Sequence, residues 1–255
     1  MRLSKTLAKL RAGETVRMCA LGSFNPALIH QAARSGYDAI WLDLEHRLID
    51  EREVQALLTH FHLADIDCML RPPTLEKTRL YRYLEDGAAG LMIPHVSTAE
   101  KAKYLVDAVK FPPLGDRGID GAGFDVLFDL PDSIAYTEEA NRETFLVVQI
   151  ETPEAIENVE AIAATEGVAG LFVGPGDLGM RLKKMDTDLT LDAAIEKVAE
   201  VAKRHNVAWG IPTGTPEALQ KYHAMGAQLL VYGSEFMAIK NMLENSEKAF
   251  DALTD

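Results

Sequence analysis

Eight short runs rich in Val, Ile and Leu, each followed by a segment of helical period, alternate along this chain. The strand-like runs are 16–20, 39–44, 67–71, 89–94, 145–150, 169–173, 207–211 and 228–232. Helical periodicity covers 25–35, 50–63, 74–86, 97–110, 153–164, 177–204 (with a break near 183–188), 215–225 and 234–252. Near-continuous apolar strands between amphipathic helices imply a parallel sheet covered by helices. Eight such units in 255 residues match a closed (β/α)8 barrel of the TIM type. A doubly wound open sheet is the alternative, and the strict alternation favours closure.

Helix starts carry their own signals. Thr98 with Glu100, Thr152-Pro153-Glu154 and Thr215-Pro216-Glu217 supply N-cap hydroxyls and early carboxylates. Gly/Ser linkers, low-complexity tracts and short repeats are absent from the sequence, so residues 1–255 read as one barrel domain. Residues 111–131 break the rhythm with three prolines, four glycines and no period. A loop this long is usually functional or disordered, and Phe124, Val126, Leu127 and Phe128 argue against disorder. An active-site flap or a subunit contact is expected there, followed by a helix at about 132–142.

Charge narrows the partners. With 26 basic and 39 acidic residues the formal charge is −13, which argues against nucleic acid and against an anionic membrane surface. No run approaches the ~18 apolar residues of a membrane span. Cys19 and Cys68 stand far apart in apolar runs and read as reduced core residues, so a cytoplasmic location is expected. The glycines at 118, 121 and 123 do not form GxGxxG, and no Walker pattern occurs.

Catalytic side chains of such barrels sit at the carboxyl ends of the strands. Those ends carry Asp43, Glu45 and His46, then Arg71, His95, Gln149 with Glu151, Asp177, Thr213 and Ser234. Each has a structural reading when taken alone: a hydrogen-bonded histidine, an ion-pair arginine, a helix-capping aspartate. Together they crowd one mouth with groups that repel or stay unsatisfied without a ligand. Glu151 and Asp177, at the ends of consecutive strands, are costly to desolvate unless a cation lies between them. None of the eight runs contains a lysine, so a Schiff base inside the barrel has no candidate and carbonyl chemistry should use a metal.

Five motifs occur in order: Asp43-Leu44-Glu45-His46, Leu70-Arg71-Pro72, Leu91-Met92-Ile93-Pro94, Pro112 to Gly118, and Gln149-Ile150-Glu151-Thr152 followed by Gly174-Pro175-Gly176-Asp177-Leu178. Over residues ~15 to 245 they resemble the HpcH/HpaI family of metal-dependent pyruvate aldolases. The resemblance implies a barrel whose C-terminal helix is exchanged between subunits of a homohexamer, a dimer of trimers. It implies a class II aldolase that reversibly cleaves 4-hydroxy-2-oxo acids to pyruvate and an aldehyde through a metal-stabilised pyruvate enolate. Glu151 and Asp177 would bind Mg²⁺, Mn²⁺ or Co²⁺. Gln149 and the backbone of Gly176 and Asp177 would hold pyruvate. His46, oriented by Asp43 in a carboxylate–imidazole pair, would be the base, and Arg71 would stabilise the oxyanions. An acid near the end of the third long helix, Glu85 with Asp86 adjacent, would come from a neighbouring subunit.

Departures from the family pattern bear on the acceptor side. Gly179 and Lys183 stand where a serine and a glycine are usual, Leu44 replaces a glycine, and Arg47 follows the base where a small residue is common. A charged acceptor near Arg47 or Arg117 would suit these changes. Two other readings stay open: a citrate-lyase-like lyase acting on a larger acid or acyl-CoA ester, and a non-catalytic keto-acid-binding barrel.

Overall fold

The computed structural model describes residues 1–253 except Pro131 and Asp186. The last residue of the expected 111–131 loop, one position in the expected 183–188 break, and the final two residues of the 1–255 span thus lie outside the described residues. Strands β1 (Val16–Leu21), β2 (Ala39–Asp43), β3 (Asp67–Arg71), β4 (Gly90–Ile93), β5 (Phe145–Ile150), β6 (Gly170–Val173), β7 (Ala208–Thr213) and β8 (Leu229–Ser234) pair in parallel and close in sequence order. All eight expected strands are present.

The strand period of two sorts side chains between two cores. Val16, Met18, Ala39, Met69, Phe145, Val147, Phe172, Leu229 and Val231 fill the barrel interior. Their neighbours, including Ile40, Leu70, Val148, Ile150, Leu171 and Ile211, face the helix layer. Parity then puts Trp41 and Asp43 on β2, Arg71 on β3 and Gln149 on β5 inward at the carboxyl end. The mouth is therefore polar because the inner face of each strand changes from apolar to polar at its last inward position.

The helices are α1 (Lys5–Arg11), α2 (Pro26–Arg34), α3 (Glu51–Ala64), α4 (Lys77–Glu85), α5 (Ala99–Val109), α6 (Ser133–Glu143), α7 (Pro153–Glu157), α8 (Val159–Ala163), α9 (Pro175–Lys184), α10 (Leu191–His205), α11 (Pro216–Ala224) and α12 (Glu235–Asp251). The threonine caps act as expected: Thr98, Thr152 and Thr215 hydroxyls accept from the N–H groups of Lys101, Ala155 and Ala218 at 3.0–3.2 Å. The segment expected as one helix over 153–164 divides at Asn158 into α7 and α8. Helix α1 was not foreseen, because seven residues with three basic ones show too little apolar period. Ser4 caps it, and Leu7 joins the interior cluster, so α1 closes the barrel floor.

The 111–131 loop lies at that same amino-terminal end. Its 3₁₀ turn, Phe124–Val126, packs against α4, and the Phe124 ring lies 4.5 Å from that of His62 at the end of α3. Its Arg117 side chain is buried, stacked 4.5 Å over Phe111, and donates to the Tyr136 hydroxyl at 3.1 Å. As an α-to-β connection the loop emerges at the floor, away from the mouth of its own barrel. Cys19 and Cys68 are free and buried, and burial raises both thiols, Cys19 to about 11. Among the described residues no helix is long and apolar enough to cross a membrane.

Candidate active site

Arg71 is the hub of the mouth. It is cross-strand neighbour to Asp43 in the β2–β3 register. Its Nε donates to Asp43 Oδ1 at 2.9 Å and its Nη2 lies 2.8 Å from Oδ2, a bidentate pairing of two buried groups. Nη1 lies 3.0 Å from Glu45 Oε2 and donates to Gln149 Oε1 at 3.2 Å. The guanidinium also stacks 4.5 Å above the Trp41 ring, which itself packs edge-on to Phe172.

Gln149 carries the network onward. Its Nε2 donates to Glu151 Oε2 at 3.0 Å, so one amide links the arginine to the first expected metal carboxylate. Glu151 is 3% exposed, and its other oxygen accepts from the His95 backbone N–H at 2.6 Å and lies 3.1 Å from His95 Nδ1. Burial raises the Glu151 carboxyl above the usual range; the His95 N–H and ring oppose this, while Glu45 and Asp177 add to it. Gly174, at the end of β6, is required by this crowding: a Cβ there would stand 2.4 Å from Glu151 Oε2.

His95 occupies the left-handed region at φ 55°, uncommon for a residue with a Cβ. The strain buys a contact position: the imidazole stands between Glu151 and Glu45, with Nε2 3.7 Å from Glu45 Oε1. Lys101 on α5 donates to the His95 carbonyl at 2.8 Å and pins the turn.

Asp177 sits in the first turn of α9, its side chain 42% exposed and 3.8 Å from Arg181. The helix begins at Gly174 without a side-chain cap, and Pro175 has no N–H to offer. The N–H groups of Gly176 and Asp177 therefore have no intrahelical acceptor and stand at the positive end of the helix dipole. A Cβ at Gly176 would meet nothing within 4 Å, so the approach to these N–H groups is open.

One expected pairing is replaced by another. The Asp43 carboxylate takes Arg71 and the backbone N–H groups of Glu45 (3.1 Å) and His46 (3.5 Å), not the His46 imidazole. A buried guanidinium has no better partner than a bidentate carboxylate, so Asp43 orients the His46 turn through its backbone. The imidazole is 58% exposed, with Nε2 3.7 Å from Glu45 Oε2. Glu85 is the last residue of α4, which runs antiparallel to the strands, so within one chain it lies at the floor. Burial pushes its carboxyl up to about 7, with Arg117 opposing. Asp86 beside it accepts from Gln55 at 2.9 Å.

Sequence reading missed Trp41 and Lys101 and gave Glu45 and His95 no role. Trp41 could have been found from strand parity, since it falls two residues before Asp43 on the inner face. Nothing in the sequence signals the αL turn at His95, which depends on Glu151 reaching it from the next strand.

The mouth fits a divalent cation. Asp43 and Glu45 pair with the Arg71 guanidinium, and burial, with the Glu45 and Asp177 charges adding to it, raises the Glu151 carboxyl. Among the described residues no three His, Cys, Asp or Glu side chains form a closed cage. The residues that would hold a divalent cation are Glu151 and Asp177, an oxygen pair that would leave positions for substrate and water on a hard ion.

Comparison with known proteins agrees with this geometry. The family described as HpcH/HpaI aldolase/citrate lyase matches residues 17–241. The chain belongs to this family. It is an enzyme of the carbon–carbon lyase class. A 5-keto-4-deoxy-D-glucarate aldolase of Klebsiella pneumoniae is 30% identical over 250 residues, 97% of this chain and 96% of that protein. A 2-keto-3-deoxy-L-rhamnonate aldolase of Salmonella paratyphi A is 32% identical, covering 92% and 89%. The crystal structure of an HpcH/HpaI aldolase from Desulfitobacterium hafniense superposes with a TM-score of 0.89 at 30% identity, covering 95% of each chain.

Proposed function

We propose that this family member is a class II aldolase that reversibly cleaves 4-hydroxy-2-oxo acids to pyruvate and an aldehyde. The observation that carries the reading is the Gln149 bridge, 3.2 Å to Arg71 and 3.0 Å to Glu151, which ties the buried arginine to a buried carboxylate at the mouth. Glu151 and Asp177 would hold a divalent ion (Mg²⁺, Mn²⁺ or Co²⁺), which when bound polarises the substrate keto oxygen. The Gly176 and Asp177 N–H groups receive the substrate carboxylate at the α9 N-terminus, and Gln149 fixes the same end.

In cleavage, His46 takes the proton of the 4-hydroxyl as the C3–C4 bond breaks and the aldehyde forms. The electron pair passes to the pyruvyl fragment as an enolate. Arg71 faces the oxyanion and offsets its charge, while Asp43 and Glu45 keep the guanidinium aimed. The proton held on His46 then returns to C3, giving the pyruvate methyl group.

Helix α12 supports the assembly that accompanies this reading. Of its residues only Glu235 is buried, and Ile239, Met242, Leu243 and Phe250 are exposed. An apolar helix row without a partner in its own chain suits exchange between subunits of a homohexamer. Light scattering on the purified protein checks the stoichiometry.

A retro-aldol screen of 4-hydroxy-2-oxo acids with several divalent ions, reading pyruvate release, tests the activity. Cleavage should vanish in EDTA, return with added ion, and fall steeply in His46→Ala. Full cleavage after thorough chelation would sink the mechanism.

A further inference from the structure

We propose that Arg47 selects the aldehyde, favouring acceptors with a terminal anionic group, either a carboxylate or a phosphate. This rests on the aldolase reading above and deepens it. Arg47 follows the base in the turn after β2, and its side chain is exposed yet held on three sides. Nη1 donates to the His46 carbonyl at 2.9 Å. The guanidinium lies over the Phe236 ring, 4.7 Å from its centroid, on the first turn of α12. The aliphatic stem runs across Gly22 after β1, where a Cβ would stand 2.6 Å from Cγ and 2.9 Å from Cδ and Nε. Gly22 thus leaves a slot that the stem fills. A long, rotamer-rich side chain is held in place before any ligand arrives, which lowers the ordering cost of binding.

Its charge is not used within the protein. Among the described residues Arg47 has no carboxylate within ion-pair distance, whereas Arg71 is taken by Asp43, Glu45 and Gln149. Glu235, buried under the same turn, directs Oε1 to the Gly22 N–H at 2.9 Å, and its Oε2 has no partner. In a chain of formal charge −13, an arginine held beside the base with no ion-pair carboxylate among the described residues is a cation available to an anionic group.

A cavity of about 430 Å³ opens at the carboxyl ends of β1, β2, β7 and β8, on the side of the mouth where α12 begins. Ala20, Trp41, Thr213, Tyr232, Ser234 and Met237 line it. Trp41 in its wall stacks with the Arg71 guanidinium, and Met237 in its wall is the sequence neighbour of Phe236, over which Arg47 lies.

The experiment is aldol addition of pyruvate, with Mn²⁺, to three aldehydes matched in length: carboxylated, phosphorylated and neutral hydroxylated. Arg47→Ala should raise KM for a charged aldehyde about tenfold or more, as for loss of a charge-assisted hydrogen bond. The neutral aldehyde should change less than about twofold, and kcat should hold for both. Arg47→Lys separates the two anions: it should recover a phosphate acceptor, which takes a point charge, better than a carboxylate, which needs the planar fork. Gly22→Ala, which displaces the stem while keeping the arginine, should reproduce the charge-selective loss and serves if Arg47→Ala does not fold. Equal losses for charged and neutral aldehydes would assign Arg47 to neutralising Glu235 and overturn the proposal, as would no loss for either. Wild-type exchange of pyruvate methyl protons with D₂O is measured alongside. Absent exchange defeats the aldolase reading itself, whereas exchange without charge selectivity defeats only the role of Arg47.

Discussion

Asp67 and Arg71 stand four residues apart on the same inward face of β3, one at the floor and one at the mouth. Both are buried ions, yet their surroundings differ in kind. Asp67 accepts from Ser4 Oγ at 2.7 Å and the Thr6 N–H at 2.8 Å, and it pairs with Arg2. Its oxygens are satisfied by the segment that closes the barrel, and no ligand is wanted. Arg71 is instead surrounded by carboxylates, and the crowding extends through Gln149 to Glu151, whose carboxyl is raised. The satisfied burial of Asp67 serves stability; the carboxylates gathered about Arg71 make a place suited to a ligand.

The contrast can be broken by exchanging the two kinds of loss. Glu151→Gln should lower kcat/KM for retro-aldol cleavage by ~10³-fold or more while leaving the melting temperature unchanged or raised. Asp67→Ala should cost about 3 kcal/mol in denaturant unfolding, because Arg2 and the Ser4 hydroxyl lose their buried partner. The surviving folded fraction should turn over normally. If Asp67→Ala instead abolished turnover per folded molecule, the division between floor and mouth would be wrong. Arg71→Lys should lower kcat by ~10²-fold, since one ammonium cannot serve Asp43, Glu45 and Gln149 together.

The floor makes a pH prediction of its own. Burial lowers the Lys110 ammonium to about 7, where it donates to the Asn141 and Thr144 carbonyls at 2.8 and 2.7 Å. Between about 7 and the unfolded lysine value the unfolded chain binds the extra proton, so this group makes stability rise with pH across that window. Lys110→Met should flatten the rise in thermal scans between pH 7 and 9. Glu85 acts in the opposite sense below it: with its carboxyl near 7, its contribution is present at low pH and lost as pH climbs from the unfolded value to about 7. The smallest effect is expected at the mouth, where His95→Gly should relieve the left-handed backbone and stabilise by about 0.5–1 kcal/mol. A fall in melting temperature would mean that the imidazole contacts outweigh the strain.

All eight strands and the inward polar residues were legible in the sequence, because strand parity and position at the carboxyl end are local properties. Asp43, Arg71, Gln149 and Glu151 could be placed at one mouth on that basis alone. What was not legible depended on competition between groups from different strands. Asp43 bonds to Arg71 in preference to the His46 ring, an outcome set by cross-strand register and by the cost of an unpaired buried guanidinium. Helix α1 escaped notice because its stability comes from Ser4 and Leu7 docking on the floor rather than from its own seven residues. The 111–131 loop was recognised as unusual but not located, since only the alternation of ends in the folded barrel assigns it to the floor.

Gln149 has one further consequence. A neutral amide, with one face given to a guanidinium and the other to a carboxylate, transmits position without transmitting charge. Arg71 and Glu151 therefore do not pair with each other, as they would in direct contact. They are nevertheless mechanically joined, so neither can drift alone. A change at 71 or at 151 would therefore be felt at the other through residue 149.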